Sequence, residues 1–308
     1  MNFQHSSVML DECIEALNIR PEGIYVDCTL GGGGHSLEIA KRLTGGGLLI
    51  GVDQDANAIA HAGRVLEEHS ERTKLVRGSF FDIKQILEDI GVMSADGFLA
   101  DLGVSSHQLD EPSRGFSYMN DARLDMRMDE SSEFSAADVI NGYSEAELAR
   151  IISAYGEERF ARRIAALIVK RRPIQTTLEL VSVIKQAIPA RARESGQHPA
   201  KRTFQAVRIE VNSEIEPLGQ AVEDMARLLV PGGRLAVISF HSLEDRAVKS
   251  KFREMEGGCS CPRELPRCVC NNVRVLEVLT RKPITPGEVE LASNHRARSA
   301  KLRVAARV

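Results

Sequence analysis

Four glycines and three acids carry the chemistry visible in this sequence. Gly31-Gly32-Gly33-Gly34-His35 follows a short β-branched run, Ile24-Tyr25-Val26. Glycines there let the backbone turn sharply and approach a ligand closely. Asp53 ends the next apolar run, Leu48-Leu49-Ile50-Gly51-Val52. In doubly wound folds an acid so placed accepts hydrogen bonds from ribose hydroxyls, so a nucleoside ligand is expected. A dinucleotide loop would read G-x-G-x-x-G, but Ser36 stands where the third glycine belongs. Asp27, just before the loop, would repel a pyrophosphate, yet it suits a ligand bearing an ammonium and a sulfonium. S-adenosylmethionine is therefore the expected cofactor, with NAD as the rival.

Asp101 ends a further apolar run and opens Asp101-Leu102-Gly103-Val104-Ser105-Ser106. In a methyltransferase this strand end borders the methyl group. The exocyclic amine of cytosine is a poor nucleophile because its lone pair is conjugated into the ring. An acceptor such as Asp101 can bond its N–H groups and aim the lone pair. Positioning of that kind supplies on the order of 7–11 kcal/mol. A cytosine-C5 mechanism needs a cysteine near this strand, and none lies between Cys28 and Cys259. Phe116 and Tyr118 in Arg114-Gly115-Phe116-Ser117-Tyr118 have two readings, a stack for a flipped base or core.

The elements that must position these residues alternate. Strands are expected at Gly23–Leu30, Gly47–Asp53, Lys74–Gly78 and Gly97–Asp101, with helices at Ser36–Leu43, Asn57–Glu68 and Phe80–Ile90. That alternation predicts a parallel, doubly wound sheet. Residues 110 to 205 offer helices and loops only, among them a capping box at Ser144–Glu147 and a helix from Thr177 to Pro189. A long helix over roughly 200–229 ends at Pro231-Gly232-Gly233, and Arg234–Phe240, Val273–Leu279 and Ala300–Val304 return to strand. The helix–Pro-Gly-Gly–strand unit resembles a recurring element of class I methyltransferases. The expected fold is α/β, a class I (Rossmann-like) methyltransferase sheet with an inserted all-helical domain. Residues 1–110 and 206–308 form the cofactor domain, and 111–205 the insertion.

Charge is unevenly distributed. Residues 1–158 hold 28 acids and 12 bases, whereas 159–208 hold 12 bases against Glu179 and Glu194 alone. A block of net charge +10 in an acidic chain fits a polyanion such as RNA, which makes the insertion the expected RNA-recognition domain. No apolar run approaches a membrane span, and six cysteines in 308 residues are too few for a disulfide scaffold. A cytoplasmic protein is expected.

Taken together, the motifs resemble the RsmH family, also called MraW, which methylates N4 of a cytidine in the decoding centre of 16S rRNA. The resemblance spans nearly the whole chain. It rests on His5, Val8, Leu10 and Glu12, on the glycine loop with Asp53, and on Asp101–Ser106 with Gln108-Leu109-Asp110. Leu124–Asp129, Tyr155–Glu158, Phe204–Arg208, Ser239–Arg246 and Arg296–Arg303 follow in order. It implies that Gly33, Gly34, His35, Asp53, Phe80, Asp101 and Gln108 line the S-adenosylmethionine site. It also implies that Asp101 is catalytic and that the partner is 16S rRNA in the small ribosomal subunit. His107 and Arg123 stand where the family usually has proline. No metal site is assigned: Cys259, Cys261, Cys268 and Cys270 are read as reduced thiols or a zinc staple. His241, Glu244 and Asp245 are read as shaping the pocket or contacting RNA.

Overall fold

The computed structural model describes residues 7–193, 198–257, 261, 265 and 273–308. The chain divides into two compact units, residues 1–103 with 215–308, and residues 104–214.

The first unit is built on a seven-stranded sheet. Its strands are β1 (Ile24–Asp27), β2 (Leu48–Asp53), β3 (Thr73–Arg77), β4 (Ala95–Asp101), β5 (Leu229–Ser239), β6 (Leu276–Val278) and β7 (Lys301–Arg307). They lie in the order β3-β2-β1-β4-β5-β7-β6. The first five neighbours are parallel, and β7 runs antiparallel to both β5 and β6. This is the Rossmann-like α/β sheet that the alternation predicts, with one reversed strand. The central strands are buried on both faces, so they read as continuous apolar runs. One face packs around Val26, Ile50, Phe98 and Val237, the other around Tyr25, Leu49, Leu99 and Ile238. Because β1 to β5 are parallel, their carboxyl ends share one edge. Asp27, Asp53 and Asp101 each occupy the last position of a strand on that edge.

Among its described residues the second unit holds seven α-helices and one apolar core: Ser106–Asp110, Ala136–Gly142, Glu145–Ala154, Ala161–Arg171, Thr177–Ala187, Ala190–Arg193 and Lys201–Asn212. The helix expected from Thr177 to Pro189 ends at Ala187. Ser144 and Glu147 form the expected capping box, and Thr176 and Glu179 form a second. Helix Lys201–Asn212 belongs to this unit, its Phe204 and Val207 lying in the helical core.

The expected long helix over 200–229 is two helices, Lys201–Asn212 and Leu218–Leu228. Ser213 adopts a left-handed conformation at φ 49, and Pro217 opens the second helix with no N–H to continue the first. The residue before a proline is also pushed out of the α region. Phe80–Ile90 opens as a 3-10 turn, Phe80–Asp82, before the helix Ile83–Asp89. Phe116 is core, 6% exposed. Tyr118 already stacks on the His198 ring at 4.5 Å and meets Phe204 edge-on, so its face is not open to a base. Arg172 is structural: its guanidinium donates to the carbonyls of Ile140 and Tyr143 at the end of helix Ala136–Gly142.

Candidate active site at the carboxyl edge of the sheet

In the first unit the carboxyl edge gathers Asp27, the glycine loop, Asp53, Phe80 and Asp101. Each is placed by an ordinary consequence of strand geometry. After β1, the amide of Cys28 donates to Leu99 of β4 and that of Leu30 to Val52 of β2. The chain is thereby held between the two neighbouring strands before it turns. Gly31 and Gly33 then take left-handed conformations, at φ 49 and φ 79, that a side chain would strain. Gly33 also lies against Ala62, whose Cβ would be 3.3 Å from any added Cβ.

Asp53 is tied to this loop. One of its oxygens accepts from the Gly31 amide and the other from the Asp55 amide, both at 2.9 Å. The acid and the loop are thus one rigid unit, with lone pairs remaining on the carboxylate. Burial pushes the Asp53 carboxyl up to about 6, against the pull of those two amides. Asp27 is 1% exposed and accepts from the Ser36 hydroxyl at 2.7 Å and the Thr29 amide at 3.2 Å. Burial also pushes it up to about 6. Ser36, at the position that a dinucleotide loop gives to glycine, therefore serves the acid before the loop.

Asp101 donates its backbone N–H to the Thr29 hydroxyl at 2.6 Å, which locks β4 to the loop after β1. Its side chain is different from the other two. The residue retains some exposure, but Oδ1 is shut away from solvent with no hydrogen-bond partner. Burial, with the charges of Asp27 and Glu244 adding to it, raises the carboxyl well above the usual range. An unsatisfied buried acceptor is costly and persists where a ligand completes it.

Phe80 follows β3 on the same edge, its ring 4.2 Å from that of Phe81. The amide of Gly78 donates to the Asp53 carbonyl and fixes that turn. His35 opens helix Gly34–Arg42, and its Nε2 lies 3.0 Å from the Val8 carbonyl. Burial holds it down at about 4, so the ring is neutral at physiological pH and donates from Nε2. Gln108 belongs to the second unit. There its Oε1 accepts from the Ser105 amide while its own amide donates to the Ser105 hydroxyl. The side chain of His107 lies outside the described residues, as do Cys259, Cys268, Cys270 and His5.

Glu244 and Asp245 have local work at the end of β5. Glu244 is 2% exposed; it caps helix Ser242–Met255 by accepting from the Phe240 and His241 amides. Asp245 pairs with Arg303 at 2.7 Å and Lys301 at 3.3 Å on β7. Burial pulls the Asp245 carboxyl up, but those two cations outweigh it and hold it below the usual range.

Sequence reading missed Thr29, Ser36 and Ser105. Each is a hydroxyl that anchors an acid or amide of the expected set, and each lies within a few residues of a proposed site residue.

Three acids on one edge, Asp27 buried and the other two partly buried, disfavour an anionic ligand and favour a cationic one. Residues 2–308 match the MraW methylase family. The chain belongs to that family. A MraW relative from Clostridioides difficile (strain 630), ribosomal RNA small subunit methyltransferase H, is 57% identical, with both chains covered over 100% of their lengths. The protein of the same name from Lachnospira eligens is 54% identical, covering 100% of this chain and 99% of its own. Among solved structures, an rRNA methylase from Streptococcus thermophilus is 12% identical, with a TM-score of 0.40. It covers 97% of this chain and 93% of its own.

One consequence of this MraW site is testable without a ligand. An Asp27 raised to about 6 binds its proton more tightly folded than unfolded. Its penalty is absent near pH 4 and complete above about pH 6. Asp27→Asn keeps an acceptor for Ser36 and should stabilise the empty protein by about 2–3 kcal/mol at pH 8. The gain should shrink towards zero as pH falls to 4. Urea unfolding at several pH values checks this; an equal gain at every pH would mean that burial of the charge is not the cause.

Proposed function

We propose that this chain transfers a methyl group from S-adenosylmethionine to N4 of a cytidine in the decoding centre of 16S rRNA, within the small ribosomal subunit in the cytoplasm. Membership of the MraW family and the names of the two full-length relatives support the reaction class and the rRNA substrate. Among the described residues no helix is long and apolar enough to cross a membrane.

The observation that carries the reading is the unpartnered Asp101 Oδ1 on the strand edge that also bears Asp27 and Asp53. The donor set fits the cofactor. Asp53 offers lone pairs to ribose hydroxyls, the glycine loop offers backbone within reach, and Phe80 offers a ring at the same edge. Gly33, Gly34 and His35 complete the proposed set within the first unit. S-adenosylmethionine carries a sulfonium and an ammonium against one carboxylate, and its methyl is already activated by the sulfonium charge. Asp101 then has two tasks. As an acceptor it holds the N–H groups of the cytosine amine and so directs the nitrogen lone pair. As the nitrogen–carbon bond forms and the carbon–sulfur bond breaks, the nitrogen sheds one proton, for which Asp101 is the assigned acceptor. A positive charge nearby returns the raised Asp101 carboxyl to the ionised form that both tasks need.

Methyl transfer from labelled cofactor onto small subunits, followed by nucleoside analysis, should give N4-methylcytidine. Asp101→Asn, which keeps the shape but not the base, should lower kcat by about 10²- to 10⁴-fold. Label on DNA or a glutamine side chain would contradict the acceptor. Unimpaired biological activity of Asp101→Asn would favour a ribosome-assembly factor that holds the cofactor as a structural ligand.

The basic block supports RNA binding by the helical unit. Arg162, Arg163, Lys170 and Lys185 are exposed and form no ion pair with a described carboxylate. Neutralising these four, while leaving the structural Arg172 in place, should weaken RNA binding and flatten its dependence on log salt by about three. An unchanged slope would remove this surface from the RNA interface.

A further inference from the structure

The four glycines of the cofactor loop are not alike. A Cβ at Gly31 or Gly32 would meet little or nothing, whereas one at Gly34 would fall 2.0 Å from the Ser7 hydroxyl. Gly34 therefore lies against the Ser7 side chain, which any added Cβ would displace. The next loop residue, His35, bonds the next residue of the N-terminal segment, with Nε2 3.0 Å from the Val8 carbonyl. The residue after that, Met9, is fully buried and left-handed, at φ 53. A non-glycine residue in that conformation is strained and needs its surroundings to hold it. Its amide donates to Glu290 Oε1 at 2.8 Å. Glu290 lies on the short helix Glu288–Ser293, otherwise largely exposed. Three successive residues, 7 to 9, are thus gripped by Gly34, His35 and a carboxylate from near the other end of the chain.

We infer that Glu290 is a positioning residue for the cofactor loop: by holding the Met9 amide it keeps residues 7–9 pressed onto Gly34 and His35. This rests on the reading of that loop as the S-adenosylmethionine site. The segment lies against Gly34 and supplies the acceptor that fixes the His35 ring. Release of Met9 would free both. His35 is neutral throughout the physiological range, so the grip does not depend on its charge.

The test uses the full chain and three proteins: wild type, Glu290→Ala and Glu290→Gln. Glutamine keeps an oxygen acceptor for the Met9 amide; alanine does not. In Glu290→Ala, hydrogen exchange at the Met9 amide should accelerate. The S-adenosylmethionine dissociation constant by calorimetry should rise about three- to ten-fold, the scale of one partly exposed charge-assisted hydrogen bond. Turnover at saturating cofactor should stay within about two-fold, because Glu290 touches no reacting atom. Glu290→Gln should restore affinity to within about two-fold of wild type. A purely structural role would lower stability and leave affinity unchanged. Unchanged affinity in Glu290→Ala, or unchanged exchange at Met9, would overturn the inference. A wild type that binds no S-adenosylmethionine would overturn the cofactor reading and this inference together.

Discussion

The gathering of three carboxylates on one edge of the sheet, Asp27 buried and Asp53 and Asp101 partly so, is the constraint around which the first unit is organised. A buried charge is unfavourable unless something offsets it. Asp27 and Asp53 receive partial relief from a hydroxyl and three amides, while Asp101 Oδ1 receives none. Such an arrangement survives because the strands bearing it are clamped between apolar layers whose packing does not depend on the edge. It is an unfinished electrostatic site, and a compact cation completes it. That argument separates S-adenosylmethionine from a dinucleotide more firmly than any glycine pattern, since glycine loops serve both.

Parallel strand order explains why acids far apart in sequence meet. Each of β1, β2 and β4 contributes its last residue, so the site needs no long-range loop folding. The turns are secured by neighbours: Thr29 takes the Asp101 amide, Asp53 the Gly31 amide, and Ser36 serves Asp27. The glycine loop, Asp53 and Asp101 are therefore cross-linked to one another before any ligand arrives, which is the preorganisation that the proposed methyl transfer by positioning requires.

Much of this was legible in the residues. The strands ending at Asp53 and Asp101 are dense apolar runs, and the spacing from the glycine loop to Asp53 is set by one strand–helix–strand unit. Ser144 announced its helix through a capping box. Other features were not legible for physical reasons. Periodicity alone continued the helix through Ser213, because apolar residues keep helical spacing on both sides of the break. Phe116 and Tyr118 look the same in sequence whether they await a base or sit among other side chains. Arg172 counts as one more positive charge until its carbonyl partners are seen. The contact between Met9 and Glu290 joins residues 281 positions apart, and no local pattern reports it.

The central claim is that the positive charge of the cofactor is held by carboxyls that are partly protonated in its absence. Calorimetric titration of S-adenosylmethionine across pH 5 to 8, in buffers of different ionisation enthalpy, tests it most directly. Asp27 and Asp53 stand at about 6 when the site is empty, and a bound cation lowers them. The raised Asp101 carboxyl also ionises when the cation binds, so affinity should rise with pH across this whole range, with net proton release on binding. Affinity independent of pH, or proton uptake on binding, would contradict the account.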